Sequence, residues 1–121
     1  MGMNCLKQLS EDFKASQKLL VALGDENRQQ MIMNMIRMYD SRGIRVGDLS
    51  EASHLSRPAV SHHLQILKDA GLIKMRREGT KNYYYFPRDA AALNQLVDLL
   101  MLARRLMSEL PEVEEEEDYT I

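Results

Sequence analysis

The chain of 121 residues has a single cysteine, Cys5. An intramolecular disulfide is therefore impossible, and no cysteine cluster can hold zinc or an iron–sulfur centre within one subunit. Cys5 reads as a free thiol near a frayed terminus, with pairing of two Cys5 side chains across a dimer left open. No apolar run is long enough to cross a bilayer, and no short apolar stretch is followed by a cleavage site, so a cytoplasmic protein without membrane contact is expected. Catalytic constellations are missing too. No Ser/His/Asp arrangement, phosphate-cradling glycine loop or pair of carboxylates in a plausible pocket can be picked out, so neither an enzyme nor a bound cofactor is expected.

Excess positive charge is also absent, since the formal net charge is −2. The sum hides an asymmetry along the chain. Residues 54–88 hold Arg57, Lys68, Lys74, Arg76, Arg77, Lys81 and Arg88 against only Asp69 and Glu78, a local charge of +5. After Pro111 the ionisable residues are all acids: Glu112, Glu114, Glu115, Glu116, Glu117 and Asp118. A local basic block of this kind, next to a suitable helix, is the footprint of nucleic-acid binding.

The length suits one domain with a real core. Leu6, Leu9, Phe13, Leu20 and Leu23 recur at mostly helical spacing over 6–23, Gly24 breaks the pattern, and Asp25 is a good N-cap for a new helix. In residues 26–39, Met31, Ile32, Met35, Ile36, Met38 and Tyr39 predict a core face. DSRGIR predicts a turn and Ile44-Arg45-Val46 a very short strand, before a third helix over 47–53. Ser56 can cap a longer helix carrying Arg57 and Pro58 in its first turn, where proline's missing N–H costs no intrahelical bond, and Gly71 ends it. LIKMRR and NYYYF then predict a hairpin turning at Glu78-Gly79-Thr80-Lys81. A final helix is expected from Asp89 to about Leu110, stopped by Pro111. The domain reading is one unit over 1–110 and an acidic, disordered tail over 111–121.

Short helix, turn, long capped helix and basic hairpin, in that order, read as a helix–turn–helix with a β-wing. The fold class is thus mainly α with a small β-wing, a winged helix-turn-helix. At about 100° per residue, Val60, Leu64 and Leu67 share one face of the long helix, and Pro58, Ser61, His62, Gln65 and Asp69 share the other. Ser61, His62 and Gln65 can hydrogen-bond to base edges or phosphates, and Arg57 can read guanine with a bidentate contact. Lys68 adds charge. In the wing, Arg76, Arg77, Lys81 and Asn82 surround the reversal and can reach phosphates or the minor groove. His63 lies beside the core stripe and is assigned to packing and a local hydrogen bond. Adjacent His62 and His63 diverge by about 100° on a helix and cannot easily chelate one ion, whereas helical ligand pairs sit three or four apart.

The last helix has two apolar sides: Leu93, Leu96, Val97, Leu100 and Met107 on one stripe, and Leu99, Leu102, Ala103, Leu106 and Leu110 on another. One side serves the domain's own core, and the second implies a partner, most simply the same helix in another subunit.

These residues resemble the ArsR, or arsenic-repressor, family of dimeric winged-helix regulators, over most of residues 10–108. ALGDENR at 22–28 resembles the family's Ala-Leu-Gly-Asp-Pro-Thr-Arg segment, LSRPAVSHHLQILKDAGLI at 55–73 its recognition-helix signature, and RREGTKNYYYF at 76–86 its wing. The resemblance implies a homodimer formed by the first and last helices and repression by covering a promoter. It places Leu6, Leu9 and Phe13 in the interface with Leu96, Leu99, Leu100, Leu102, Ala103, Leu106 and Met107. Where metal-sensing members carry a Cys-x-Cys-type motif, this chain has Arg45, Val46, Gly47 and Asp48. Another family site uses Asp, His and Glu on the last helix, but residues 89–110 contain no histidine, so no metal site is expected. The expected partners are an imperfectly palindromic DNA duplex and a second copy, with the effector unknown. A winged-helix protein-interaction module that never reads DNA is the alternative.

Overall fold

The computed structural model describes residues 2–114, so the expected tail lies outside the described residues from 115 onward. Six helices and one hairpin follow in the order α1 (Met3–Ala15), α2 (Gln17–Leu23), α3 (Glu26–Arg37), α4 (Val46–Ser53), α5 (Arg57–Asp69), β1 (Lys74–Glu78), β2 (Lys81–Tyr85) and α6 (Ala91–Ser108). The hairpin is antiparallel, pairing Lys74 with Tyr85 and Glu78 with Lys81. A bridge between Ile44 and Tyr84 ties the α3–α4 connection to the wing, in place of the very short strand expected there.

The caps sit where the local chemistry puts them. The Asp25 side chain accepts from the Arg28 N–H at the start of α3, and Ser56 Oγ accepts from Ala59 N–H at the start of α5. Gly71 closes α5 at φ +81, a left-handed conformation that side chains other than glycine resist.

The core joins Leu19, Ala22, Met31, Met35, Leu49, Val60, Leu64, Leu67, Ile73 and Leu99. Burying each large aliphatic side chain contributes roughly 1.5–3 kcal/mol, so the stripe of three on α5 alone decides which way that helix faces.

Two expectations are corrected. The segment 6–23 is two helices, broken at Ser16, which is buried with its Oγ unpartnered. The break lets α1 lie along α6 while α2 turns into the core with Leu19 and Ala22. In α3 the core face is narrower than its apolar spacing suggested: Met31 and Met35 are buried, but Ile36 is 63% exposed and Asn34 takes an inward position. Asn34 Oδ1 accepts from Arg37 there, so a polar side chain is satisfied within the core stripe. On α6, Leu96, Leu99, Ala103 and Leu106, all expected at the subunit interface, are buried within the single chain. Leu96 therefore belongs to the inner stripe, spaced at three and four residues from Leu99, Ala103 and Leu106.

Candidate nucleic-acid interface

The turn between α4 and α5 is built by short-range hydrogen bonds. His54 adopts a left-handed φ of 61° as it closes α4. Ser50 Oγ donates to the Leu55 carbonyl, and Ser53 Oγ accepts from the Leu55 N–H. Those bonds hold the backbone of the turn while Ser56 starts the next helix.

Val60, Leu64 and Leu67 are completely buried, which turns the opposite side of α5 to solvent. Arg57, Pro58, Ser61, His62 and Gln65 are all exposed on that side, and Lys68 is half-buried. Gln65 Nε2 donates to Asp69 Oδ1 at 2.8 Å, which orients its amide along the helix. His62 carries no protein hydrogen bond among the described residues, and its ring lies 6.0 Å from that of His63.

Arg57 turns back over the beginning of α4. A Cβ at Gly47 would lie 3.0 Å from Arg57 Nη2, so glycine at this position is what lets the guanidinium come so close. Arg45, Gly47, Asp48, Glu51 and Arg57 line one polar recess there. Arg45 is an exposed cation that sequence reasoning did not place in the interface. Its guanidinium lies 5.9 Å from the Tyr83 ring, which joins the start of α4 to the wing.

The wing residues divide into two groups. Arg76 is tied to the protein: Nη2 donates to the Arg42 carbonyl at 2.7 Å, Nε meets Glu78 Oε1 at 3.1 Å, and the guanidinium lies 5.4 Å from the Tyr83 ring. These contacts fix the guanidinium of Arg76, one of the expected DNA contacts, against the base of the hairpin. Arg77, Lys81 and Asn82 are exposed around the tip, with Arg77 Nε donating to the Gly79 carbonyl. Among the described residues the sole ion pair is Arg76 with Glu78, so the charges of Arg77 and Lys81 have no side-chain counterion within 4.0 Å.

Behind the exposed face sits a buried arginine that sequence reasoning passed over. Arg28 Nε donates to the Ala22 carbonyl at 2.7 Å and Nη2 to the Val21 carbonyl at 3.3 Å, satisfying the free carbonyls at the end of α2. Its Nη1 meets His63 Nδ1 at 3.4 Å, so the bond expected to be local spans 35 residues. Burial pushes the His63 pKa below its ordinary value, the Asp25 carboxylate opposes this, and the charges of Arg28 and His62 lower it further. Asp25 is itself held below its usual value, first by the backbone N–H of Arg28. The residues Asp25 and Arg28 of the ALGDENR segment thus anchor the inner side of α5.

A capped helix aimed outward by a shorter one, flanked by a cationic two-stranded hairpin, defines a winged helix–turn–helix protein. The comparisons then narrow the class. Residues 27–75 match the family of bacterial regulatory proteins of the arsR type. An uncharacterized HTH-type transcriptional regulator of Methanocaldococcus jannaschii is 34% identical over 91 residues, covering 74% of this chain and 99% of that one. The transcriptional repressor SdpR of Bacillus subtilis is 36% identical over 63 residues, or 52% of this chain and 66% of that protein. The homodimeric winged helix-turn-helix DNA-binding domain of a possible ArsR-family regulator from Mycobacterium bovis matches 84% of this chain and 90% of its own, at 22% identity and a TM-score of 0.57, which shows the shared fold. The chain belongs to the ArsR family of helix–turn–helix transcriptional regulators. That family is one of regulators, not of enzymes, and no helix among the described residues is long and apolar enough to cross a membrane.

Proposed function

We propose that the chain works as a homodimer that binds an imperfectly palindromic operator and represses transcription by covering it. The observation that carries this reading is the outward face of α5, where Arg57, Pro58, Ser61, His62 and Gln65 stand exposed beside the exposed cations Arg77 and Lys81 of the wing tip. Arg57, Ser61, His62 and Gln65 read base edges from the major groove, and Lys68, Arg77, Lys81 and Asn82 hold the backbone on either side. Arg76 supports them by fixing the hairpin.

The dimer reading rests on side chains that the single chain leaves in water. Leu6 and Phe13 on α1 are 49% and 46% exposed, and Leu100 and Met107 on α6 are 54% and 66% exposed. Leu9 and Leu102, each partly buried, border them. A twofold axis through this surface would set the two α5 helices about 34–36 Å apart, in successive major grooves. SdpR is a repressor and the Mycobacterium bovis domain is a homodimer, which agrees with both halves of the reading. Neither metal-sensing arrangement of the family has its ligands here, so the release signal is not one of those metals. Residues 1–110 form the working unit.

Purified protein incubated with sheared genomic DNA at moderate salt tests this. Retained fragments should share a two-part repeat with half-sites about one helical turn apart. A protein that retains no fragment at any concentration is an interaction module instead.

A further inference from the structure

We infer that the apolar cleft behind the wing is a binding site for a small, uncharged, largely apolar organic molecule. The cleft, open to solvent on one side, has a volume of about 290 Å³ between α2, α3, the α5–β1 turn, the segment leaving β2 and the first turn of α6. Ile32, Leu72 and Phe86 make its inner wall, and Ile36 and Leu93 stand at its rim. Among the described residues no titratable side chain lines it.

The chemistry of the occupant follows from that lining. The wall offers almost no polar partner to hold ordered water, so an apolar molecule seated against it displaces water that is poorly bound. A charged ligand would lose its hydration without gaining a counterion or a donor. The volume, at the small end of ligand sites, suits one aromatic ring or a fused pair.

The walls also explain why occupancy matters. Leu72 follows the end of α5, Phe86 and Pro87 leave the wing, and Ala90 leads into α6 in a left-handed conformation, φ 49°. A molecule wedged here presses on the reading elements and on the helix with the exposed apolar stripe at once. Ala90 is the place where the backbone already carries strain, because its Cβ disfavours that φ.

Toluene and benzoate, similar in size but the one neutral and the other an anion, are the probes. In methyl NMR of the intact chain, toluene should give saturable shifts at Ile32, Ile36, Leu72 and Leu93, and benzoate at equal concentration should not. Ile36→Trp, a change at an exposed rim position that leaves the core alone, should weaken toluene by about tenfold or more. Shifts that never saturate, equal binding of benzoate, or affinity unchanged in I36W overturn the site. So do contacts between copies at these methyls in the dimer, which would mean that the second chain fills the cleft. The effect on DNA rests on the function proposed above and is read separately, with operator fragments that the free protein retains. Toluene-saturated protein should release them, and retention with the cleft occupied overturns the coupling. A free protein that retains no DNA overturns the proposed function and leaves the NMR result standing.

Discussion

Helices α5 and α6 have the same inner half and opposite outer halves. Each buries one apolar stripe, Val60, Leu64 and Leu67 in the first and Leu96, Leu99, Ala103 and Leu106 in the second. Outside, α5 carries Arg57, Ser61, His62 and Gln65, whereas α6 carries Val97, Leu100, Met101 and Met107. The inner stripes hold the fold. The outer stripes are free to differ, and on the function proposed above they suit two kinds of partner. Polar side chains in water lose little by staying there and can exchange hydration for base edges. An exposed apolar stripe stays unfavourable until another apolar surface covers it.

The contrast breaks most visibly at a position where the two halves of α5 are exchanged in role. Leu64→Ala should cost about 2–5 kcal/mol in urea unfolding, through lost burial and the cavity left behind. His62→Ala, on the outer face, should stay within about 0.5 kcal/mol of the parent. Similar losses for both would mean that the outer face is structural after all.

On α6 the same exchange reads out as assembly. Leu100→Glu should leave the fold intact and turn the sedimenting species from two copies into one, a charge on the uncovered stripe being incompatible with its burial against a twin. Leu99→Ala should lower stability instead. Sedimentation of L100E as a dimer would move the interface elsewhere.

DNA binding separates the reading helix from the wing. His62→Ala should lose roughly 1–3 kcal/mol on the operator and far less on random sequence. Lys81→Ala should weaken both alike and reduce the slope of log affinity against log salt by about 1. Equal losses for H62A on operator and random DNA would assign His62 to the backbone.

The smallest effect concerns the inner side of α5. His63 titrates below its ordinary value of 6.5 in the fold, first because of burial, so the unfolded chain takes up the proton earlier as pH falls. Stability from this source is complete above 6.5 and declines as pH drops from there through the folded value. His63→Gln should flatten that part of the curve, measured as the urea midpoint between pH 7 and 5. Asp25 acts in a separate, lower window: its contribution is present above 3.8 and is lost as pH falls through its depressed folded value. An H63Q curve parallel to the parent would remove His63 as the source.

Much of the interface was legible because its signals are short-range. Ser56 followed by Arg57 and Pro58 is a helix start in any context, Gly71 is a helix end, and three leucine-sized positions on one face give the orientation of α5. Other features were hidden because they depend on residues far apart in the chain. Arg76 finds the Arg42 carbonyl and Arg28 finds His63 across 34 and 35 residues, distances that no periodicity encodes. The break at Ser16 belongs with these. The apolar repeat over 6–23 runs past it, and the direction changes because α1 has α6 to lie on.

The order of elements, their caps, the local charge of +5 over residues 54–88 and the presence of two apolar sides on the last helix were all determined by the sequence alone. These rest on bonds within one turn and on a repeat of 3.6 residues, which any helix of this composition obeys. Tertiary packing decided which of the two sides of α6 is spent inside, whether an arginine braces the wing or stays free, and where an unfilled apolar cleft remains. Each of those is a competition among surfaces for a limited volume of core, and only the folded chain resolves it.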